Sequence, residues 1–235
     1  MSLLFGSEKE KPEVLTTSVS FSGIEFEVVI NDVSNNHYIW LHGDERTANM
    51  ALMHHLNHYD GTAFLIKSDE REVAYQDTKI DPNRIFSRPG SFRALKKFKP
   101  EWAPGMLKKA LDELDQNREQ FLSILFPDSG GILIAVHNNF RGYNLKSELK
   151  NCTKVSINPK ENPRDFIICT DPDDFDKLSV GHYNVLLQDQ PPKEDDGSLS
   201  WAAFRNGIRY VNIETRLGWL SQQKKMLKFI EERLN

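Results

Sequence analysis

The chain has 235 residues, enough for one mid-sized domain, since chains of this size bury roughly 70–75% of their unfolded surface. With 39% hydrophobic and 10% aromatic residues it is not a disordered chain. Its formal net charge of −4 argues against a general nucleic-acid binder, which carries a basic face.

Residues 1–14 are polar and expected to be flexible. Residues 15–235 are expected to form a single domain. From Ser18 to Ile30, alternating apolar and polar residues around Ser22-Gly23 predict a hairpin. Tyr38 to His42 is a short apolar run, read as a buried strand. A helix follows, with Ala48, Leu52 and Leu56 at helical spacing and Gly61 as its stop. Ala63–Ile66 and Val73–Gln76 are predicted strands. Pro89–Pro104, rich in Lys, Arg, Phe and Pro, reads as a surface loop. A long helix is predicted from Pro104 to about Phe126. Gly130-Gly131 introduces the strand Ile132–Val136, which should stop at His137. Further strands fit Lys154–Ile157, Phe166–Cys169 and Tyr183–Leu187. An exposed acidic loop starts at Gln190. Ile208–Thr215 is the last strand and Leu217–Leu234 the last helix.

Apolar strands alternating with helices predict a three-layer α/β/α sandwich with a mixed, largely parallel central sheet. No apolar run approaches the ~18–20 residues that span a bilayer. The opening MSLLFGSEKEKPE is too short in apolar residues for a secretory signal. The expected location is therefore cytoplasmic, with no membrane or nucleic acid among the partners. Cys152 and Cys169 are expected as reduced thiols, and Asn151-Cys152-Thr153 as a chance match to a glycosylation acceptor.

In open α/β sheets ligands gather beyond the carboxyl ends of strands. His42, His137 and Glu214 end or nearly end three predicted strands. His42 and Glu45, three apart at a strand end, can converge on one cation, with Gly43 letting the backbone bend. A second histidine would complete the two-His, one-carboxylate set of a catalytic zinc site. The plain alternative is two structural histidines bonded within the fold. Asn83 and Arg84, in DPNRIF, offer an amide and a guanidinium fork suited to a carboxylate. A turn with a surface arginine explains the same residues.

Taken in order, LHGDERTA, DPNRIF, AVHNN and NIETRLG resemble the zinc carboxypeptidase superfamily. The nearer branch is the succinylglutamate desuccinylase and aspartoacylase group. The resemblance implies a zinc carboxypeptidase-like fold and one Zn2+ per chain, held by His42, Glu45 and His137. It implies Glu214 as the catalytic glutamate, moving a proton from zinc-activated water to the leaving nitrogen, and Asn83 with Arg84 as the carboxylate clamp. The expected substrate is a small molecule or peptide with a free carboxylate, a C-terminal peptide residue or an N-acyl amino acid. The pattern departs from the family at Arg46, between Glu45 and Thr47, and at Ala135, where a second-shell Asp often stands two residues before the third ligand. Arg71, Arg88, Arg93 and Arg141, and Tyr183 and Tyr210, compete for the family's remaining Arg and Tyr roles. The chain is shorter than the desuccinylase group, so that group's extra β-rich region is not expected.

Other features favour simpler explanations. His54 and His58 in HHLNH share a helix face but lack the Glu of an HExxH protease. The acids at Asp171–Asp176 and near Glu194 lack EF-hand spacing and are expected as solvated acids in loops. RALKKFK, Arg93–Lys99, reads as a solvated basic loop. No GxGxxG or P-loop supports a nucleotide cofactor. The rival to a zinc hydrolase is a non-catalytic binding module retaining the same fold.

Overall fold

The computed structural model describes residues 14–31, 34–140 and 142–235. The segment 1–14, expected to be flexible, lies outside them apart from Val14. In chain order the strands are β1 (Leu15–Phe21), β2 (Ile24–Asn31), β3 (His37–Trp40), β4 (Gly61–Ile66), β5 (Val73–Tyr75) and β6 (Thr78–Ile80). They continue with β7 (Leu133–Asn139), β8 (Lys154–Ser156), β9 (Phe166–Cys169), β10 (Asn184–Leu187) and β11 (Tyr210–Arg216). The helices are α1 (Arg46–Leu56), α2 (Arg88–Phe98), α3 (Met106–Leu125), α4 (Pro172–Ser179), α5 (Leu199–Arg205) and α6 (Leu220–Leu234). Among the described residues no helix is long and apolar enough to cross a membrane.

Nine strands form one mixed sheet in the order β1-β2-β4-β3-β7-β11-β9-β10-β8. Its centre, β4-β3-β7-β11, is parallel. β9 and β10 run parallel to each other but opposite to β11, and antiparallel strands close both edges. The central strands are apolar runs because helices cover both faces. On one face Tyr38 meets His55 of α1, and Asn138 and Thr215 meet Gln223 and Met226 of α6. On the other, Phe121 of α3 lies 5.1 Å from the rings of both Phe21 and Phe26. This is an α/β/α sandwich with a mixed sheet. The β1–β2 turn has positive φ at both Ser22 and Gly23, the type I′ geometry whose twist matches the strands.

Three predicted elements change. Pro89–Pro104 is not a surface loop: α2 occupies Arg88–Phe98, with Ser87 accepting from Gly90 N and Pro89 in the first turn. A proline there fits the helix rather than breaking it, and the basic residues line the helix's solvated side while Ala94 and Leu95 are buried. The acids at Asp171–Asp176 also belong to a helix, α4. Asp171 caps it by accepting from Asp173 N and Asp174 N, and first-turn acids complement its dipole. The strand at Ile132 does not stop at His137 but runs on to Asn139. That extra length brings His137 level with Glu214.

Candidate metal centre and cavity

The parallel centre of the sheet delivers three residues to one end. His42 follows β3, His137 lies in the last half of β7, and Glu214 sits beside it on β11, Cα partner to Cα partner. Glu45 stands immediately before α1, where its carbonyl accepts from Ala48 N at 3.0 Å and from the Trp40 indole at 3.1 Å. Gly43 is needed for close approach rather than for a special φ. A Cβ there would lie 2.0 Å from the Ser68 carbonyl oxygen.

His42, Glu45 and His137 are buried and offer ligand atoms within 4.8 Å of one another. His42 Nδ1 lies 2.8 Å from Glu45 Oε1, and His137 Nδ1 lies 3.0 Å from Glu45 Oε2. Asn138 N donates to Oε2 at 3.0 Å, and the Arg71 guanidinium to Oε1 at 2.7 Å. Burial alone would raise the Glu45 carboxyl, but His42 and His137 outweigh it and hold it well below the usual range. His42 Nε2 faces Asp81 Oδ1 at 2.9 Å, so both ring nitrogens meet carboxylates. Burial pulls His42 down, yet Glu45 and Asp81 raise it to about 9.

This arrangement fits a divalent cation. Two buried imidazoles and a carboxylate are the donor set of a catalytic zinc site. A cation at the Nδ1 atoms would replace the proton that His42 otherwise needs there. Asp81 would then fix the tautomer from the other nitrogen, as outer carboxylates do. His137 lacks that support: with Ala135 two residues earlier, its buried Nε2 has no hydrogen-bond partner among the described residues.

Glu214 is buried, with amides as neighbours. Asn212 Nδ2 donates to Oε1 at 3.4 Å and Asn139 Nδ2 to Oε2 at 3.3 Å. Burial dominates and pushes its carboxyl up to about 7, against the nearby His137. A carboxyl near neutrality can both take and return a proton at physiological pH.

His42, Glu45, His137, Arg71 and Glu214 open into a cavity of about 1040 Å³, which Asn83 and Arg84 also line. Asp81 caps the single turn Pro82–Arg84 by accepting from Asn83 N. Asn83 Oδ1 accepts from Leu199 N at 2.9 Å, so half of this amide holds α5 in place. The half-exposed Arg84 guanidinium sits 3.5 Å from Asp196.

The structure separates the competing arginines and tyrosines. Arg71 reaches the centre and Arg93 the cavity wall. Arg88 pairs instead with Asp112 and Asp115 on α3, and Arg141 lies outside the described residues. Tyr210 lines the cavity, whereas Tyr183 packs edge-on against Phe229, 5.0 Å away. Reading the sequence missed Asp81, Tyr143, Glu148 and Asn212. Asp81 was readable only as part of DPNR, where it passes for a turn opener. The other three have no local signature.

No family model matches the chain, and no curated protein matches it. Solved structures that are similar in shape include three from Shewanella species. One is a candidate metallopeptidase from Shewanella amazonensis SB2B, at 13% identity and TM-score 0.49, with 94% of this chain and 85% of that chain covered. A second, from Shewanella denitrificans OS217, has 13% identity and TM-score 0.49 over 94% and 82% of the two chains. A third, from Shewanella baltica OS155, has 14% identity and TM-score 0.48 over 93% and 86%.

Proposed function

We propose that this chain is a zinc-dependent hydrolase that cleaves an amide bond next to a free carboxylate, in a C-terminal peptide residue or an N-acyl amino acid. In this reading the chain is akin to the zinc carboxypeptidases, on the succinylglutamate desuccinylase and aspartoacylase side. One observation carries the reading. A buried two-histidine, one-carboxylate group, a buried carboxyl near neutrality and a guanidinium share a single cavity.

His42, Glu45 and His137 would hold the metal, and Asp81 would fix the His42 ring. A divalent cation there supplies Lewis-acid chemistry, polarising a carbonyl and lowering the pKa of a water. Glu214 accepts a proton from the attacking water. The water oxygen bonds to the carbonyl carbon, the C–N bond breaks, and Glu214 returns the proton to the leaving nitrogen. Arg84, released from Asp196, and the Asn83 amide nitrogen hold the substrate carboxylate. The Arg71 donors not spent on Glu45 face the cavity and suit a carbonyl oxygen gaining charge.

A second reading, a binding module that keeps the site, is favoured by the unpartnered His137 Nε2. Metal content and turnover of N-acyl amino acids and short peptides separate the two. Near one zinc per chain, with hydrolysis lost in Glu214→Gln, supports the hydrolase. A zinc-loaded protein that binds these compounds without cleaving any overturns it.

A further inference from the structure

Beyond Glu214 the cavity wall changes character. The segment 142–153 folds over the far half of the sheet and closes a small apolar group of Leu145, Phe166, Ile168 and Leu186, apart from the main core. Asn212 is the Cα partner of Ile168, and Ile168 of Leu186. All three point to the face that carries Glu214, because side chains alternate along each strand.

Glu148 stands over this floor. Its Oε1 accepts from the Tyr143 hydroxyl at 2.9 Å and its Oε2 from Gln188 Nε2 at 2.9 Å. Both donors are neutral, and among the described residues no cation pairs with this carboxylate. Each oxygen retains a lone pair. Asn212 adds a further acceptor: its Oδ1 is buried with no partner among the described residues, while its Nδ2 donates to Glu214. Tyr143 lies within electrostatic reach of Glu214, Glu148 and Arg84, which places this wall beside the clamp. Ile168, Asn212, Tyr143, Glu148 and Gln188 all line the cavity.

We propose that this wall is a subsite for a cationic group, an ammonium or guanidinium ending the side chain of the residue whose carboxylate Arg84 holds. The position of that residue rests on the hydrolase reading; the recognition of a cation does not. A surface of acceptors with no cation of its own leaves a half-buried carboxylate held by neutral donors alone, and a cationic head would add a charge-assisted hydrogen bond to it. A basic side chain suits both parts, its methylene stem on Ile168 and its head on Glu148 and Asn212. Lys150 and Lys193 also line the cavity, but both are exposed and stay hydrated at its rim.

The test is titration calorimetry on the metal-free protein with N-acetylarginine, N-acetylnorleucine and N-acetylglutamate. N-acetylarginine should bind tightest, roughly 10–100-fold above N-acetylnorleucine, the range for hydrogen bonds to a charged group. That preference should vanish in Glu148→Gln, and N-acetylglutamate should lead in Glu148→Arg, with melting curves confirming that the variants fold. Equal binding of arginine and norleucine derivatives by the wild type overturns the subsite, whatever the variants do. So does N-acetylglutamate leading in the wild type, or an arginine preference that survives Glu148→Gln. Turnover by the zinc-loaded protein then separates the two claims. A Glu148-dependent preference with no hydrolysis keeps the subsite and removes the hydrolase; hydrolysis favouring norleucine does the reverse.

Discussion

Among the described residues, two histidine–glutamate clusters built on buried imidazoles stand one at each end of α1. At its start, His42 and His137 flank Glu45 and face a cavity. Towards its end, His55 meets Glu231 of α6 at 3.1 Å, and the Tyr38 hydroxyl donates to the same oxygen at 2.9 Å. The residue types are nearly the same. The second cluster is closed: its ring is stacked on Tyr59, 4.5 Å away, and its polar atoms are spent on fastening α1 to α6. In the first, a second imidazole and a neighbouring Glu214 face open space, and a second carboxylate, Asp81, backs His42. Chemistry follows from which end of the strands a cluster occupies and what space it faces.

Glu214→Gln should break the comparison most sharply. Removing a general acid–base typically costs about 10²–10⁴-fold in kcat. Metal content should stay at the wild-type level, because Glu214 is not a ligand in this reading. Full turnover in the variant would take Glu214 out of the mechanism. Next comes the paired substitution. His137→Ala should lose bound metal, measured by mass spectrometry, with the fold kept. His55→Ala should keep its metal and lose about 2–3 kcal/mol of stability, from the hole left by a buried ring and the loss of its hydrogen bond to Glu231. Metal loss in both variants, or in neither, would erase the distinction between the clusters.

The pH dependence of the metal-free protein sharpens the same contrast. Burial first, and then Glu45, place Glu214 at about 7 against an ordinary value of 4.5. Between those values the folded chain binds more protons than the unfolded one. Stability therefore falls as pH rises through that window and levels off above it. Glu214→Gln should match wild type near pH 4.5 and exceed it at pH 8 by up to ~3 kcal/mol. His42, raised to about 9 from 6.5, contributes stability that is complete below 6.5 and lost as pH rises through 9. Both proteins share that loss, so it cancels in the difference. Denaturant melts in the presence of chelator supply the measurement, and a difference that is flat with pH would contradict the burial argument.

The sequence made the outline of this contrast readable and hid its second half. Period and apolar runs located the strands that carry His42, His137 and Glu214, since a covered parallel sheet must be apolar throughout. Short motifs then supplied the ligands. HHLNH is richer in histidine than HGDE, yet it builds the closed cluster, because burial against Glu231 is decided 176 residues away. Asp81, Asn212, Tyr143 and Glu148 were silent too. Asp81 meets His42 and Glu148 meets Gln188 about 40 residues away, while Asn212 and Tyr143 have nearby partners that carry no recognisable motif. α2 was hidden by a proline and a run of lysines that the helix places in its first turn and on its wet face.

A smaller effect is expected at the clamp. Arg84→Ala should raise KM about 10–100-fold for substrates with a free carboxylate, and change kcat little if the contact is equally strong before and during bond cleavage. Substrates whose carboxylate is esterified should be affected much less. An equal rise for both would place Arg84 outside carboxylate binding and leave its pairing with Asp196 as its only contact of consequence.

The smallest effect, and the most specific, belongs to Asp81→Asn. Asp81 does two things at once: its Oδ1 faces His42 Nε2 at 2.9 Å and caps the turn that carries Asn83 and Arg84. Asparagine is also a good cap and can still accept the His42 proton, so the loop should hold and the ring keep its orientation. What disappears is the charge that raises the basicity of His42. Losses of this kind cost about 10–100-fold in metal affinity, and a variant that retains the acceptor belongs at the lower end. Competition against a zinc chelator should show the drop, while KM for carboxylate substrates at saturating zinc stays near wild type. In the metal-free protein the same change should lower the His42 pKa from about 9, visible by NMR titration of the ring. If the pKa falls and zinc affinity does not, Asp81 serves the turn and the free imidazole alone. The metal centre would then have no outer carboxylate on either histidine.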